Sequence, residues 1–410
     1  MLIKTITAVL TVAGLSLCAG KVLNAKDFGA KGDGIADDRP AMTKLFDAAA
    51  AAGPGAKVII PKGVYRMKTL QVTRRRYETN IEAKGLKNAL VEAEPGTIFL
   101  MENRANGFSI NSCDNSVFKN IAIDFDPLPF TQGKVVAFDR AKNTIDVVID
   151  KGYPSPLDKG FVGKPARNRI NFYDPDTRRR LRNVPINWVD KAFDLGNGKV
   201  RLPLRNKVRP YVKVRAGLRF ALISRGGSAK GHGIFVQKCK ETKLYKTEVY
   251  SAYGCAYAIR DCDLLTMDSC LVTTKPGTDR LMTTDADGIH VKFNRRGPII
   301  ENCKIMYTDD DCVNIAAGYV RVCEQIAPNK IVVDVDGNAK AGDEYVFFDF
   351  LTAKVLARAK SVKRRRIKWQ NQPKYELTLD KDLPRFDTVK TLKHPAKWRL
   401  SIGTRNEIKK

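Results

Sequence analysis

The chain has 410 residues, 43% of them hydrophobic, with 72 Lys and Arg against 44 Asp and Glu for a net charge of +28. That length can bury a large core, as one elongated domain or two to three compact ones. The charge either favours an anionic partner or is a solvated basic exterior, and the runs Arg74–Arg76, Arg178–Arg180 and Arg364–Arg366 have neither interleaved aromatics nor a nucleic-acid motif, which argues against nucleic acid.

Residues 1–20, MLIKTITAVLTVAGLSLCAG, hold one lysine, an apolar run from Ile6 to Leu17 and then small residues. The run is too short to cross a bilayer and reads as a secretory signal peptide cut between Gly20 and Ala25, so a secreted or periplasmic location is expected. Cys18 fits a lipoprotein cleavage box poorly, and removing the segment takes away only Lys4, leaving +27 (28 − 1). No later segment has about 18 uninterrupted apolar residues, so no membrane insertion is expected.

Segment 21–127 opens with a Gly-rich turn over 29–34, then Asp37 and Asp38 as helix caps and Pro40 in the first turn. The Ala-rich stretch 41–52 is predicted to be a helix that Gly53-Pro54-Gly55 stops, and VIIP is predicted to be a buried strand. Beyond it come strands of three to five residues broken by Asn, Asp and Gly. KNIAI (119–123), KTEVY (246–250), DSCLV (268–272) and ENCKI (301–305) share a polar–polar–apolar–any–apolar template. The second and third start 22 residues apart, and the third and fourth 33 apart, one repeat plus a loop. Such a period predicts an all-β chain, a right-handed parallel β-helix with an N-terminal capping helix, in which equivalent positions form ladders; an antiparallel sandwich is the alternative. Two stretches of longer alternating strands, 128–220 and 319–398, read as inserted antiparallel β modules. They leave β-helix coils over 221–318 and the start of a returning coil over 399–410.

Eight cysteines follow the signal segment, mostly in apolar strand contexts where free thiols act as small hydrophobes. With no CxxC pair and three histidines, no zinc site is expected, and no other metal or cofactor.

The acids of the coil segment are the chemical signal. Asp287 in DADGI precedes Asp310 and Asp311 in DDDC by 23 and 24 residues, one coil. Stacked strands lie about 4.8 Å apart, so these carboxylates would share one outer patch. Like charges that close separate into a protonated acid and an ionised base, the pair that glycosidic hydrolysis needs. Adjacent strand residues face opposite ways, so Asp310 and Asp311 converge only at a bend; alternatively one acid caps a turn while the others hold water or calcium. His290 is placed to touch a sugar hydroxyl or to make a structural hydrogen bond. Arg280, Asn294, Arg295 and Arg296 flank the acids as substrate-binding candidates or as solvated loop charge. Asn314 is a substrate-binding candidate or a ladder asparagine, and His232 marks a turn between two glycines.

DFGAKGDGIADD followed by a helix and VIIPKGVY resembles the N-terminal cap of the pectin-lyase-like superfamily. DADGI and DDDC resemble the NTDG and GDDC motifs of polygalacturonases, glycoside hydrolase family 28. IDFDPLPFTQGKV, RGPIIENC and DDCVNI, with modules after FTQG and after the acid pair, are more similar to glycoside hydrolase family 110. The likeness runs over about residues 22–400. It implies an inverting, exo-acting α-1,3-galactosidase that needs no metal, with Asp310 as general acid and Asp287 and Asp311 placing and deprotonating water. The GHG and RIK motifs of polygalacturonases have no counterpart in a suitable place, RRIK at 365–368 falling inside the second module. Family 110 chains also continue past the second module where this one stops at TRNEIKK, as in a truncated member. The expected partner is a carbohydrate, anionic if the charge is functional. The rival readings are a calcium-dependent polysaccharide lyase on the same fold and a non-catalytic glycan-binding protein.

Overall fold

A left-handed turn recurs once per coil and sets the rungs of the structure. Asn88, Asn115, Glu241, Leu264 and Gly297 have φ of 51°, 45°, 50°, 55° and 74°, and backbone bridging stacks them from one coil to the next. L-residues pay about 1–2 kcal/mol for that conformation, least at Asn, and none is due at Gly. The Asn115 amide donates to Asn88 Oδ1 at 2.9 Å, so the two asparagines also bond along their column.

The computed structural model describes residues 20–410 apart from 69–77, 163–167, 183, 211, 225–230, 317–318, 335–340, 350–353, 386–397, 403–404 and 409–410. Residues 1–19 of the expected signal peptide and the Arg74–Arg76 run therefore lie outside the described residues. Three parallel sheets of eight, seven and six strands form the walls of a β-helix, of the right hand that parallel crossovers take. Its interior is filled by columns of apolar side chains in exact-neighbour register. Leu23, Val58, Val91, Phe118, Leu244, Met267 and Ile300 line the first sheet. Tyr65, Phe99, Ile123, Val249, Val272 and Ile305 line the second. Ile81, Phe108, Ile234, Tyr257, Ile289 and Val313 line the third. Each buried side chain of this size contributes about 1.5–3 kcal/mol, and the columns form one continuous core.

KNIAI, KTEVY, DSCLV and ENCKI stack in parallel in the second sheet, with one correction. Val249 pairs with Val272, so the repeat is 23 residues and the matching frame is YKTEV, one residue earlier than KTEVY. Val249 points inward, fully buried, whereas Tyr250 points outward with its hydroxyl donating to Glu248. Two adjacent apolar residues left the frame ambiguous, and a slip of one flips every side chain to the other face.

The capping helix is Arg39–Ala51, two residues earlier than the apolar pattern indicates. Asp37 Oδ1 accepts from Arg39 N at 3.1 Å. Asp38 instead turns its carboxylate back to the Gly-rich loop, accepting from Lys31 N at 2.5 Å and Gly32 N at 3.0 Å.

Both inserted modules are antiparallel. The first is a seven-stranded sheet whose outermost strands in sequence are Phe130–Asp139 and Arg219–Ile223, with its own core of Val135, Ile145, Val147, Ile170, Phe172, Leu202, Phe220 and Leu222. The second is a closed barrel from Tyr319–Ala327 to Trp398–Ile402. Their last strands run to 223 and 402, beyond the edges read at 220 and 398, because both pair on two sides. Arg405–Ile408 then returns and pairs in parallel with Arg296–Glu301. The eight described cysteines are free, and six are buried. Several stack: the registers of the third sheet place Cys113, Cys239, Cys262 and Asn294 in one column.

Candidate active site

The sequence TDADG repeats as TDDDC on the next coil, and the two copies sit one above the other. Thr284 bridges Thr308, and Ile289 pairs with Val313. Asp285 therefore stacks on Asp309, Ala286 on Asp310, and Asp287 on Asp311. Each threonine hydroxyl donates to a carbonyl two residues on, Thr284 to Ala286 O at 2.7 Å and Thr308 to Asp310 O at 3.0 Å. These paired turns are the bend that lets neighbouring residues leave strict alternation. The glycine of DGI is required by packing: a Cβ on Gly288 would lie 2.3 Å from Ile305 Cγ2 and 2.7 Å from Cys312 O.

The bend brings the three predicted acids together. One carboxylate oxygen from each of Asp287, Asp310 and Asp311 lies within 4.8 Å of the other two. Asp287 is buried at 6% exposure, while the Asp310 side chain is 53% exposed. Each acid of the column has a partner three residues on. His290 Nδ1 lies 2.5 Å from Asp287 Oδ2, and Asn314 Nδ2 donates to Asp311 Oδ2 at 3.1 Å. The oxygens are hard ligands at a spacing that can close around a calcium-sized cation, so this is also the place where a metal would fit.

Asp309, the first acid of the triplet, does something else. Its carboxylate is fully buried and paired with Arg169 and, at 3.2 Å, with Arg180; Asn171 Nδ2 also donates to it. All three partners come from the first module. The strand Asn168–Tyr173 is buried along its whole length: Ile170 and Phe172 enter the module's own core, which leaves Arg169, Asn171 and Tyr173 on the face toward the coil. Arg169 Nη2 further donates to Asp285 O at 3.0 Å and Asp309 O at 3.2 Å, one carbonyl on each rung, and lies 3.9 Å from Asp310 Oδ2. Burial pushes the Asp309 carboxyl up to about 6, although Arg169, Arg180 and the Asn171 hydrogen bond all pull it down.

The loop that leads into the first of these rungs is fastened to the same module. Gln132 accepts from Leu281 N at 2.9 Å and donates to Asp279 O at 3.2 Å. Leu281 and Met282 pack on Phe130, Tyr173, Ala221 and Ile223. Arg280, expected to meet substrate, is corrected by this arrangement: it is a buried partner of Asp124, at 2.7 and 3.0 Å. Asn294 is corrected too, since it continues the cysteine column at 1% exposure and accepts from Cys262 N at 3.1 Å. Arg295 is the third correction; it ties Asp261 to Asp343 of the barrel. Arg296 makes a bidentate pair with Asp263, both bonds 2.8 Å. His232 lies in the Asp287 column and accepts from Cys255 N through Nδ1 at 3.1 Å. His290 and Asn314 thus remain beside the acids. Asp309, Arg169, Asn171 and Arg180 join the site unannounced by local spacing; the available clue was alternation in NRINFY, which puts Arg, Asn and Tyr on one face.

A groove of about 620 Å³ outside the second sheet lies along Glu92, Lys119, Lys246, Glu248 and Lys304. Its two glutamates are tied to Lys119 and to the Tyr250 hydroxyl, and the acid cluster takes no part in it.

The family described as rhamnogalacturonase A/epimerase, pectate lyase-like, matches residues 22–152. Alpha-1,3-galactosidase B of Bacteroides thetaiotaomicron is 24% identical over 393 residues, 90% of this chain and 63% of that protein. Alpha-1,3-galactosidase A of Shewanella woodyi is 23% identical over 342 residues, 78% of this chain and 55% of that protein. The chain is similar to the α-1,3-galactosidases. It spans 63% and 55% of the lengths of these two relatives. Among solved structures, a hyperthermoactive exopolygalacturonase from Thermotoga maritima matches at 14% identity and a TM-score of 0.32, over 73% of this chain and 55% of that one.

Proposed function

We propose that the chain is an exported glycoside hydrolase that removes terminal α-linked galactose with inversion, acting on galactans or glycans that carry anionic groups. The observation that carries the reading is the convergence of Asp287, Asp310 and Asp311 from two stacked rungs, their oxygens within 4.8 Å of one another. The α-1,3-galactosidase relatives add the substrate class, and the net charge of +28 adds the preference for anionic sugars.

Asp310 is the general acid: it is exposed, as Asp311 is, but stands outside the column that Asp287 and Asp311 share, on the side where a leaving oxygen can reach it. Asp287 and Asp311 share one column and hold the attacking water between them, His290 and Asn314 fixing their orientation. Inverting sites separate the acid and base carboxyls by about 6.5–9.5 Å and retaining sites by about 5–5.5 Å. The cluster is at the tight end of that scale, so inversion requires Asp310 to swing outward to the leaving oxygen when a sugar enters. Proton NMR of the first product decides the matter. An α-galactoside giving β-galactose first supports inversion; α-galactose first overturns it.

The tight spacing favours one other reading, a cation-dependent polysaccharide lyase in which the three acids hold calcium. That reading requires chelator to abolish activity and the product to absorb in the ultraviolet as an unsaturated uronate. A chelator-insensitive release of galactose excludes it.

A further inference from the structure

The expectation of no zinc site rested on spacing along the chain, but in a stacked fold the relevant neighbours are on adjacent rungs. The column that carries Asp287 continues to Cys255 on the preceding coil, since Tyr257 pairs with Ile289. There the Cys255 thiol, the Asp287 carboxylate and the His290 imidazole each present a ligand atom within 4.8 Å of the other two. We propose that Cys255, Asp287 and His290 form a binding site for a thiophilic divalent cation such as zinc, and that occupying it stops catalysis by withdrawing Asp287. The second clause rests on the hydrolase reading; the first does not.

The donor set is the argument. Sulfur, imidazole nitrogen and carboxylate oxygen are the three ligand types zinc takes, at about 2.0–2.3 Å, which puts tetrahedral ligand atoms about 3.3–3.8 Å apart. The ligand atoms already lie within 4.8 Å of one another, and admitting a cation needs the 2.5 Å His290–Asp287 contact to open by a side-chain rotation, which His290, 32% exposed in its side chain, can make on its solvent side. Cys255 is the rigid member. Its amide donates to His232 at 3.1 Å and its carbonyl accepts from Gly233 N at 3.0 Å, so the thiol projects from a rung held on one side by the coil beneath. Three protein ligands leave a fourth position for water, the arrangement of an open zinc site. As the metal–sulfur, metal–nitrogen and metal–oxygen bonds form, the ion releases bound waters to solvent, keeping one in the fourth position, and the thiol proton leaves with them; the metal's oxidation state does not change. The all-oxygen cluster of Asp287, Asp310 and Asp311 suits hard cations, so a soft cation chooses the cysteine side of Asp287.

The test uses the full chain without sugar and cobalt(II) as the probe. Thiolate ligation gives a charge-transfer band in the near ultraviolet, which zinc should bleach by displacement. Cys255→Ser should abolish the band and weaken zinc about tenfold or more. Cys312→Ser, which removes the exposed thiol beside Asp311, should keep both. Should Cys255→Ser fold poorly, His290→Ala should weaken zinc comparably while leaving a cobalt–thiolate signal of altered shape. A wild-type chain with no band, or a band that survives Cys255→Ser, overturns the site. With a galactoside present, zinc should inhibit the wild type and spare Cys255→Ser; equal inhibition of both overturns the coupling to catalysis. Cobalt binding without hydrolysis of any galactoside would remove the functional reading and leave the metal site standing.

Discussion

Arg169→Ala tests the joint between the first module and the acids. Wild-type Asp309 titrates near 6, and relative to an ordinary aspartate near 3.9 that burial already costs about 3 kcal/mol at neutral pH. Removing Arg169 takes away the larger of the two favourable charges, so the carboxyl rises further and holds its proton to a higher pH than in the wild type. Protonation limits the extra electrostatic loss to about 1–1.5 kcal/mol. The heavier loss is the Asp285 carbonyl, which loses its Arg169 donor at about 1–3 kcal/mol, whereas the Asp309 carbonyl keeps Arg180 Nη1 at 3.4 Å. The sum, about 2–4.5 kcal/mol, is close to what breaking a buried pair costs. The sign of the pH dependence follows from a raised folded value. Stability from this group is fully present below about 3.9 and lost as pH rises through about 6 in the wild type, and through a higher pH in the variant. Denaturant melts of both proteins at pH 5, 6, 7 and 8 should therefore show a deficit that widens above about pH 6 and then levels. A deficit below about 1 kcal/mol, or one that is flat across that range, refutes the account of Asp309 as a buried, arginine-compensated charge.

The remaining expectations concern chemistry and packing. Asp310→Asn should lower turnover of a natural galactoside by about 10²–10⁴-fold and be much milder on an activated aryl galactoside, whose leaving group needs little protonation; equal losses would remove Asp310 from the acid role. Asp287→Asn and Asp311→Asn should damage both substrates alike, since water activation is needed either way, and full activity of either on the aryl substrate would contradict that. Gly288→Ala, with its Cβ against Ile305 and the Cys312 carbonyl, should cost about 1–3 kcal/mol and reduce activity by displacing Asp311, as melting and rate measurements would show together. If the positive surface steers anionic galactan, rates on sulfated substrate should fall as salt shortens screening below about 8 Å, whereas matching salt profiles for neutral and sulfated substrates would make the charge mere background.

The parallel β-helix was legible because its signal is local and redundant. Each coil repeats an apolar frame, and seven aligned residues from Leu23 to Ile300 report one column. The one frame misread, KTEVY, is where Tyr250 imitates an inward residue while its hydroxyl bonds to Glu248 outside. The acids were legible for the same reason, being one coil apart. What sequence spacing cannot show is which charges are already used. Arg280, Arg295 and Arg296 read as open guanidiniums and are each held by an aspartate, while Arg169, 140 residues before Asp309, reads as one basic residue among many.

That asymmetry explains why the acidic triplet has three members when two would serve hydrolysis. A bend that turns Asp310 and Asp311 outward must drive the preceding residue inward, toward whatever covers the coil. An apolar residue there would satisfy burial but give no reason for the first module to sit in one position. Asp309 costs stability through its buried charge, and in exchange it accepts only an arrangement that brings Arg169, Asn171 and Arg180 to it together. Because Arg169 also bonds to the carbonyls of both rungs, the docking that satisfies Asp309 also fixes the spacing of the rungs that carry Asp287 and Asp311. On this argument, Asp309→Leu should leave a folded coil whose module is loosely seated. Its activity should fall on natural and activated galactosides equally, because the loss is of geometry and not of a proton. A variant that kept wild-type activity on both substrates would show that the acids hold their positions without the module.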